Sequence, residues 1–259
     1  MKAWFGLCWS LLVLIFALGP LFAILMDSFR KFEHGEWIYT WYWYRELFTW
    51  RENNYFLSSL WNSLRIGLGS ALISSIFGLG LVSIIAYRKG VKRRFWEMLT
   101  IFPIALSTVV FGVVWFHFYQ EHLAGTVPLI FVVMAMHALL TCPYWIRIVL
   151  PTLESIPLQW HTESKMLGKQ PLEYGVRILW PWLSKTFLIA FFFSFSLSLG
   201  ELNSTMMIAD ETVRTLPLEI YGAISGYRFS YASAVAVILL ILSVSTFLLV
   251  ERSIGFFGR

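Results

Sequence analysis

Few side chains in this sequence could carry chemistry, and those few are scattered. The histidines are His34, His117, His122, His137 and His161, and the cysteines are Cys8 and Cys142. None of them falls into a metal-ligand pattern: there is no H-E-x-x-H and no C-x-x-C. The phosphate-cradling G-x-x-x-x-G-K-[ST] is also missing, so the chain has no nucleotide loop of its own. No nucleophile stands beside a recognisable base. The expectation is therefore no catalytic residue, no metal and no cofactor in this chain. His117 and His137 lie in or near apolar runs, where an ionisable group is a functional candidate by default. A neutral imidazole bonded to a neighbouring helix is the plainer reading of both. Glu201 is the remaining group of interest, a carboxylate at the edge of an apolar run.

The elements that must position these groups are membrane helices. Of 259 residues, 58% are hydrophobic and 14% charged, and the mean hydropathy is +0.68. A soluble domain carries about 25% charged residues. The composition excludes a soluble enzyme, a disordered chain and a disulfide scaffold. A helix needs roughly 20 apolar residues to cross a hydrocarbon core of about 30 Å. Residues 3–26, 66–87, 98–120, 122–146 and 229–250 meet this without Asp, Glu, Lys or Arg. The third and fourth runs are separated by Glu121, which predicts a tight turn over 125–128. A further run over 186–200 reaches only about 22 Å as a helix. Extended to Ala209 it spans, at the expense of taking in Glu201. The fold class expected is all-α, with six transmembrane helices. The first run reads as a retained helix and not a signal peptide, because it is longer than the usual h-region and no clear cleavage site follows.

Charge sets the expected orientation. With six spans, 13 of the 20 basic residues share the face of the termini, including the cluster from Arg88 to Arg94. The positive-inside rule puts that face in the cytoplasm. A short cytoplasmic loop beside anionic headgroups accounts for the cluster, and no nucleic-acid partner is needed. On the other face, the loop over 27–56 is rich in Trp and Tyr. It reads as an interfacial belt, with a binding surface as the alternative. Gly67, Ser70, Ala71, Ser74 and Gly78 form a small-residue ridge on the second span, read as packing.

The longest inner connection runs PYWIRIVLPTLESIPLQWHTESKMLGKQPLEYGVRILWP over 143–181. Pro151 and Pro157 should break the preceding helix. A short helix is expected over 158–167, with Gly168 as its C-terminal cap and Pro171 beyond. It would expose Trp160, His161, Lys165 and Met166, as a docking knob for a soluble partner. Aligned on Gly168, the stretch resembles the E-A-A, three residues, G, nine residues, I-x-L-P signature of membrane subunits of binding-protein-dependent ABC importers. Thr162, Glu163 and Ser164 occupy the degenerate E-A-A positions, and Ile178, Trp180 and Pro181 the end of the motif. Asn62-Ser63-Leu64 resembles the family's opening N-S-L. Gly200-Glu201-Leu202 and Thr215-Leu216-Pro217-Leu218 resemble the branch that imports thiamine, ferric iron and oxyanions.

The resemblance implies residues 1–56 as a first helix with an outer loop, and 57–252 as the permease domain with a coupling loop over about 151–181. It implies ATPase coupling through Thr162, Glu163, Ser164, Gly168, Ile178 and Pro181. ATP and Mg would be held by partner ABC ATPase subunits. A second permease, identical or homologous, and an extracytoplasmic substrate-binding protein complete the expected assembly in a bacterial inner membrane, with both termini cytoplasmic. Thiamine or ferric iron is the expected substrate class, and molybdate, sulfate and polyamine are alternatives. Glu201 is placed toward the outer end of the fifth span, either as a helix-end charge bonded to backbone or Arg214, or facing the pore. Ser204, Thr205 and Ile208 share its face by helical spacing, and with Asn203 they are candidate pore or gate residues. An ion-gradient-driven secondary transporter is the rival reading. It predicts paired intramembrane charges or matching broken helices, which the sequence does not show.

Overall fold

A computed structural model describes residues 2–49, 55–86, 88–166, 168 and 170–257. In chain order its main elements are α1 (Lys2–Asp27), β1 (Arg30–Glu33), β2 (Glu36–Tyr39), α2 (Tyr42–Leu47), α3 (Phe56–Ala86), α4 (Gly90–Ala105), α5 (Thr108–Phe118), α6 (Leu129–Glu154), α7 (Leu158–Met166), α8 (Pro171–Tyr174), α9 (Trp180–Leu199), α10 (Asn203–Ile208), α11 (Leu216–Ser225) and α12 (Phe229–Phe257). Among the described residues, α1, α3, α6, the run Gly175–Leu199 and α12 are long and apolar enough to cross a membrane. A sixth span is broken. Gly90–Pro103 and Thr108–Leu123 pass together but are bent by 88°. The protein is an all-α polytopic membrane protein.

Three expectations are corrected. The third span is not one helix over 98–120. Leu106 and Ser107 are both extended (φ −83°, ψ 146° and φ −60°, ψ 130°). Pro103 lacks the N–H that would hold the last turn of α4, while Ser107, at the start of α5, makes no side-chain capping bond. The fifth span does not run to Ala209. It ends at Leu199, and its length comes from the other end, where a π-helical stretch Gly175–Leu179 leads into α9. Gly200 weakens the helix, and the Glu201 carboxylate is used to start the next one. Pro151 does not end the fourth span, because α6 continues to Glu154. Neighbouring helices re-satisfy what a membrane proline frees. The turn over 125–128 is present, with Gly125 at φ +81° and Pro128 immediately before α6.

The chain forms two compact units, Met1–Trp61 with Arg214–Leu242, and Asn62–Val213 with Ser243–Arg259. In the first, Leu47, Phe56, Leu216 and Ala234 are fully buried. Asp27 accepts hydrogen bonds from Ser233 (2.9 Å) and Ser230 (3.5 Å), which ties the end of α1 to α12. Glu219 is 5% exposed. It faces the Arg214 guanidinium at 2.8 Å and accepts from the Tyr231 hydroxyl at 3.0 Å.

In the second unit, helices approach at small residues. Lipid tails are as apolar as leucine, so van der Waals fit holds membrane helices together where burial from water cannot. The ridge on α3 does this. Ser70, Ala71 and Ser74 are fully buried, Gly67 lies against Phe195, and Gly78 lies against the ring of Trp145. At the α4 end, Arg93 pairs with Glu154 (2.7 Å), and the Thr152 and Thr186 hydroxyls meet at 3.1 Å.

Candidate functional site

Two regions of the second unit hold the residues of interest. The first is α7, nine residues set between α6 and the Gly175–Leu199 helix. The helix forms where expected. Gly168 follows it at φ +69°, a conformation that costs glycine nothing and other residues roughly 1–2 kcal/mol. Among the described residues, no heavy atom beyond its chain neighbours lies within 4 Å of where a Gly168 side chain would begin. Glu163 is exposed and Ser164 buried. The Thr162 backbone is helical, but its side chain lies outside the described residues, as do those of His161 and Lys165. Met166 is 81% exposed. Trp160 is not freely exposed: its ring meets Trp182 edge-on at 5.4 Å, which ties α7 to the first turn of α9. Ile178 is half-buried in the π-helical stretch, and Pro181 is exposed in the first turn of α9. The six motif residues therefore do not form one patch, since Ser164 faces inward while Glu163 and Pro181 face out.

The second region is a cavity of about 250 Å³ lined by Pro103, Thr108, His137, Leu140, Thr141, Tyr144, Leu197, Ser198 and Glu201. It sits beside the break between α4 and α5. His137 is 1% exposed. Its Nδ1 is 2.7 Å from the Ser198 hydroxyl of α9, and its Nε2 is 2.7 Å from the Thr205 hydroxyl of α10. One ring nitrogen donates and the other accepts, and a hydroxyl can answer either. The histidine thus binds three helices together, in line with the plainer reading of it.

Glu201 belongs to no span. Its Oε1 accepts hydrogen bonds from the Ser204 backbone N–H (2.9 Å) and the Ser204 hydroxyl (3.1 Å), so the carboxylate caps the N-terminus of α10. An acidic group there satisfies an otherwise unpaired N–H and meets the positive end of the helix dipole. Arg214 pairs with Glu219 at 2.8 Å. Ser204, Thr205 and Ile208 are buried on one face, while Asn203 is exposed. Among the cavity-lining residues Glu201 is the one carboxylate, and no lysine or arginine is present. The lining residues Thr108 and Tyr144 were not singled out in the sequence. His137, Thr141 and Tyr144 follow i, i+4, i+7, so a polar stripe on the fourth span was the available signal.

No family model matches the sequence. Curated relatives do. A putative 2-aminoethylphosphonate transport system permease from Salmonella choleraesuis is 26% identical over 98% of this chain and 95% of its own. A probable sulfate transport system permease from Prototheca wickerhamii is 25% identical over 76% of this chain and 82% of its own. A thiamine transport system permease from Brucella abortus is 23% identical over 74% of this chain, which spans only 35% of that relative's length. Among solved structures, a bacterial alginate ABC transporter superposes with a TM-score of 0.74 at 15% identity, over 98% of this chain and 94% of that one. The MetNI methionine ABC transporter gives a TM-score of 0.64 at 17% identity, over 78% and 96%. The chain is thus similar in sequence to transport system permeases, and its fold is that of the transmembrane subunits of ABC transporters. These curated relatives are named for sulfate, thiamine and 2-aminoethylphosphonate transport.

Proposed function

We propose that this chain forms half of the substrate pathway of an ATP-driven importer and couples to a separate ATPase through α7. The observation that carries the reading is the placement of α7, nine residues held between two apolar helices, closed by a positive-φ glycine with open space around it. A partner that grips α7 can move both flanking helices together. In this reading ATP and Mg are bound by the ATPase, and a second permease completes the pathway. An extracytoplasmic binding protein delivers the solute, and the alginate transporter of similar fold, solved in complex with a periplasmic protein, supports this. The membrane is the bacterial cytoplasmic membrane, with both termini inside. Nucleotide binding drives transport only through different affinities for the two states of the pore.

The cavity bounded by His137, Tyr144 and Glu201 is read as part of the solute path. Its carboxylate, unopposed by lysine or arginine, supports a solute carrying positive charge, of the thiamine or ferric iron class. Sulfate, molybdate and polyamine are the alternatives. The test is gentle purification from the native membrane, followed by uptake in proteoliposomes. An ATPase should co-purify, and uptake should require ATP inside. Recovery of the chain alone, with uptake driven by an ion gradient, would favour a secondary transporter.

A further inference from the structure

The segment after α1 folds into a two-faced ribbon. β1 and β2 pair antiparallel, with Arg30 opposite Tyr39 and Phe32 opposite Trp37. Side chains alternate along a strand, so these four share one face. The other face carries Lys31, Ile38, Glu33 and Glu36. On the first face Phe32 is 58%, Trp37 55% and Tyr39 66% exposed. The Arg30 guanidinium lies 4.5 Å from the Trp37 ring centre, and the Phe32 and Trp37 rings are 5.2 Å apart. Three aromatic rings thus stand exposed beside a half-buried, stacked arginine, while the charged pair Lys31–Glu33 (2.9 Å) lies behind them.

Hydrogen bonds and ring contacts join this ribbon to the residues that follow α1 and to α2. The Thr40 N–H donates to the Phe29 carbonyl at 2.7 Å, closing its base. The Trp43 indole N–H donates to the Arg30 carbonyl at 2.7 Å, and the Ser28 and Tyr44 hydroxyls meet at 2.8 Å. The Phe29 ring packs against Trp41 (4.8 Å) and Tyr44 (5.2 Å). α1 ends at Asp27, and β1 begins at Arg30. A lipid-facing helix therefore delivers the ribbon to the level where hydrocarbon gives way to water.

We propose that the β1–β2 hairpin lies in the membrane interface at the Asp27 end of α1, with its Arg30–Phe32–Trp37–Tyr39 face on phospholipid. Two observations choose lipid over a protein partner. The face continues the exposed apolar surface of α1, where Phe22, Leu25 and Met26 are also exposed. Its composition is that of an interfacial anchor, amphipathic rings with a cation placed to meet a phosphate. The hairpin sets the depth of α1 and limits its tilt, as interfacial anchors do.

The full chain, in nanodiscs of phosphatidylcholine and phosphatidylglycerol, is compared with its Trp37→Phe variant, using ordinary and acyl-brominated lipids. The fluorescence that disappears with Trp37 should fall by roughly half or more in brominated lipid, as expected of a ring at the acyl boundary. An unquenched Trp37 overturns the proposal. A second measurement uses native membranes and a photoreactive benzophenone side chain in place of Tyr39. A phospholipid adduct supports the proposal. A discrete adduct with another protein overturns it and assigns the face to a docking partner, and absence of a lipid adduct overturns it as well.

Discussion

His137 holds α6, α9 and α10 together with two short hydrogen bonds, and losing it takes from the buried Ser198 hydroxyl its hydrogen bond, while Thr205 keeps a bond to the Glu201 carbonyl at 3.2 Å. His137→Leu should destabilise the protein by about 1–3 kcal/mol, the range for buried polar groups left without partners. A thermal melt in detergent checks this. Glu201 allows a sharper separation. Removing an N-terminal cap costs about 1 kcal/mol, so Glu201→Ala should lower the melting temperature. Glu201→Gln keeps an oxygen for the Ser204 N–H and should melt close to the parent. Uptake then separates the roles: if the carboxylate draws a cation to the cavity, the glutamine variant transports poorly despite its stability. The sequence marked both residues, and for Glu201 offered backbone or Arg214 as partner, of which the structure has the Ser204 backbone N–H; the partners of His137 it did not mark. His137 meets Ser198 and Thr205 across 61 and 68 residues, a distance that no periodicity reports. Glu201 looked intramembrane because helix length was counted outward from Lys185, whereas the helix gains its length inward, from Gly175.

Elements in this protein are spaced by glycine. A Cβ on Gly112 of α5 would stand 2.8 Å from the Ser204 Cα of α10, and backbone cannot rotate out of the way. Gly112→Ala should therefore push α5 and α10 apart, at about 1–3 kcal/mol, as overpacking does. Gly80 on α3 has open space instead, so Gly80→Ala should be neutral or slightly stabilising through helix propensity. Paired melting curves of the two variants check the contrast. Long apolar helices were legible because each must bridge the bilayer alone. The Gly67–Gly78 ridge was legible because small residues at helical spacing have one common use in lipid. The split into α4 and α5 was not. Pro103 predicts a kink near its own position, while the break falls at Leu106 and Ser107, where no single residue type demands it.

At the scale of the whole molecule the proposed function rests on α7 moving with its neighbours. Gly168→Trp adds a bulky ring where this chain has open space, so its effect falls on whatever docks there. The strain of a non-glycine residue at φ +69° costs only about 1–2 kcal/mol. The variant should reach the membrane in normal amount, hydrolyse ATP in complex, and lose most substrate-stimulated uptake. Gly168→Ala, with the same backbone strain and little bulk, should retain uptake. Normal uptake by the tryptophan variant would sink the coupling role of this helix end. The cap was legible from a glycine followed by a proline two residues after its neighbour. The inward turn of Ser164 was not, because only the packing of α7 against the adjoining segments decides which of its faces is free.

Leu106 and Ser107 are extended and interrupt the helix between α4 and α5, although the Ser107 carbonyl opens the ladder of α5 by accepting from the Phe111 N–H at 2.9 Å. A peptide group stranded in lipid would cost several kcal/mol. Pro103 and Thr108, on either side, border the cavity of about 250 Å³, and liquid water takes about 30 Å³ per molecule. There is room for a small cluster of water beside the break. The expected consequence is that water reaches the break. In a chain with Cys8 and Cys142 replaced, Ser107→Cys should react with a small water-soluble thiol reagent, while Val110→Cys, one turn further on and exposed on the apolar side of α5, should not.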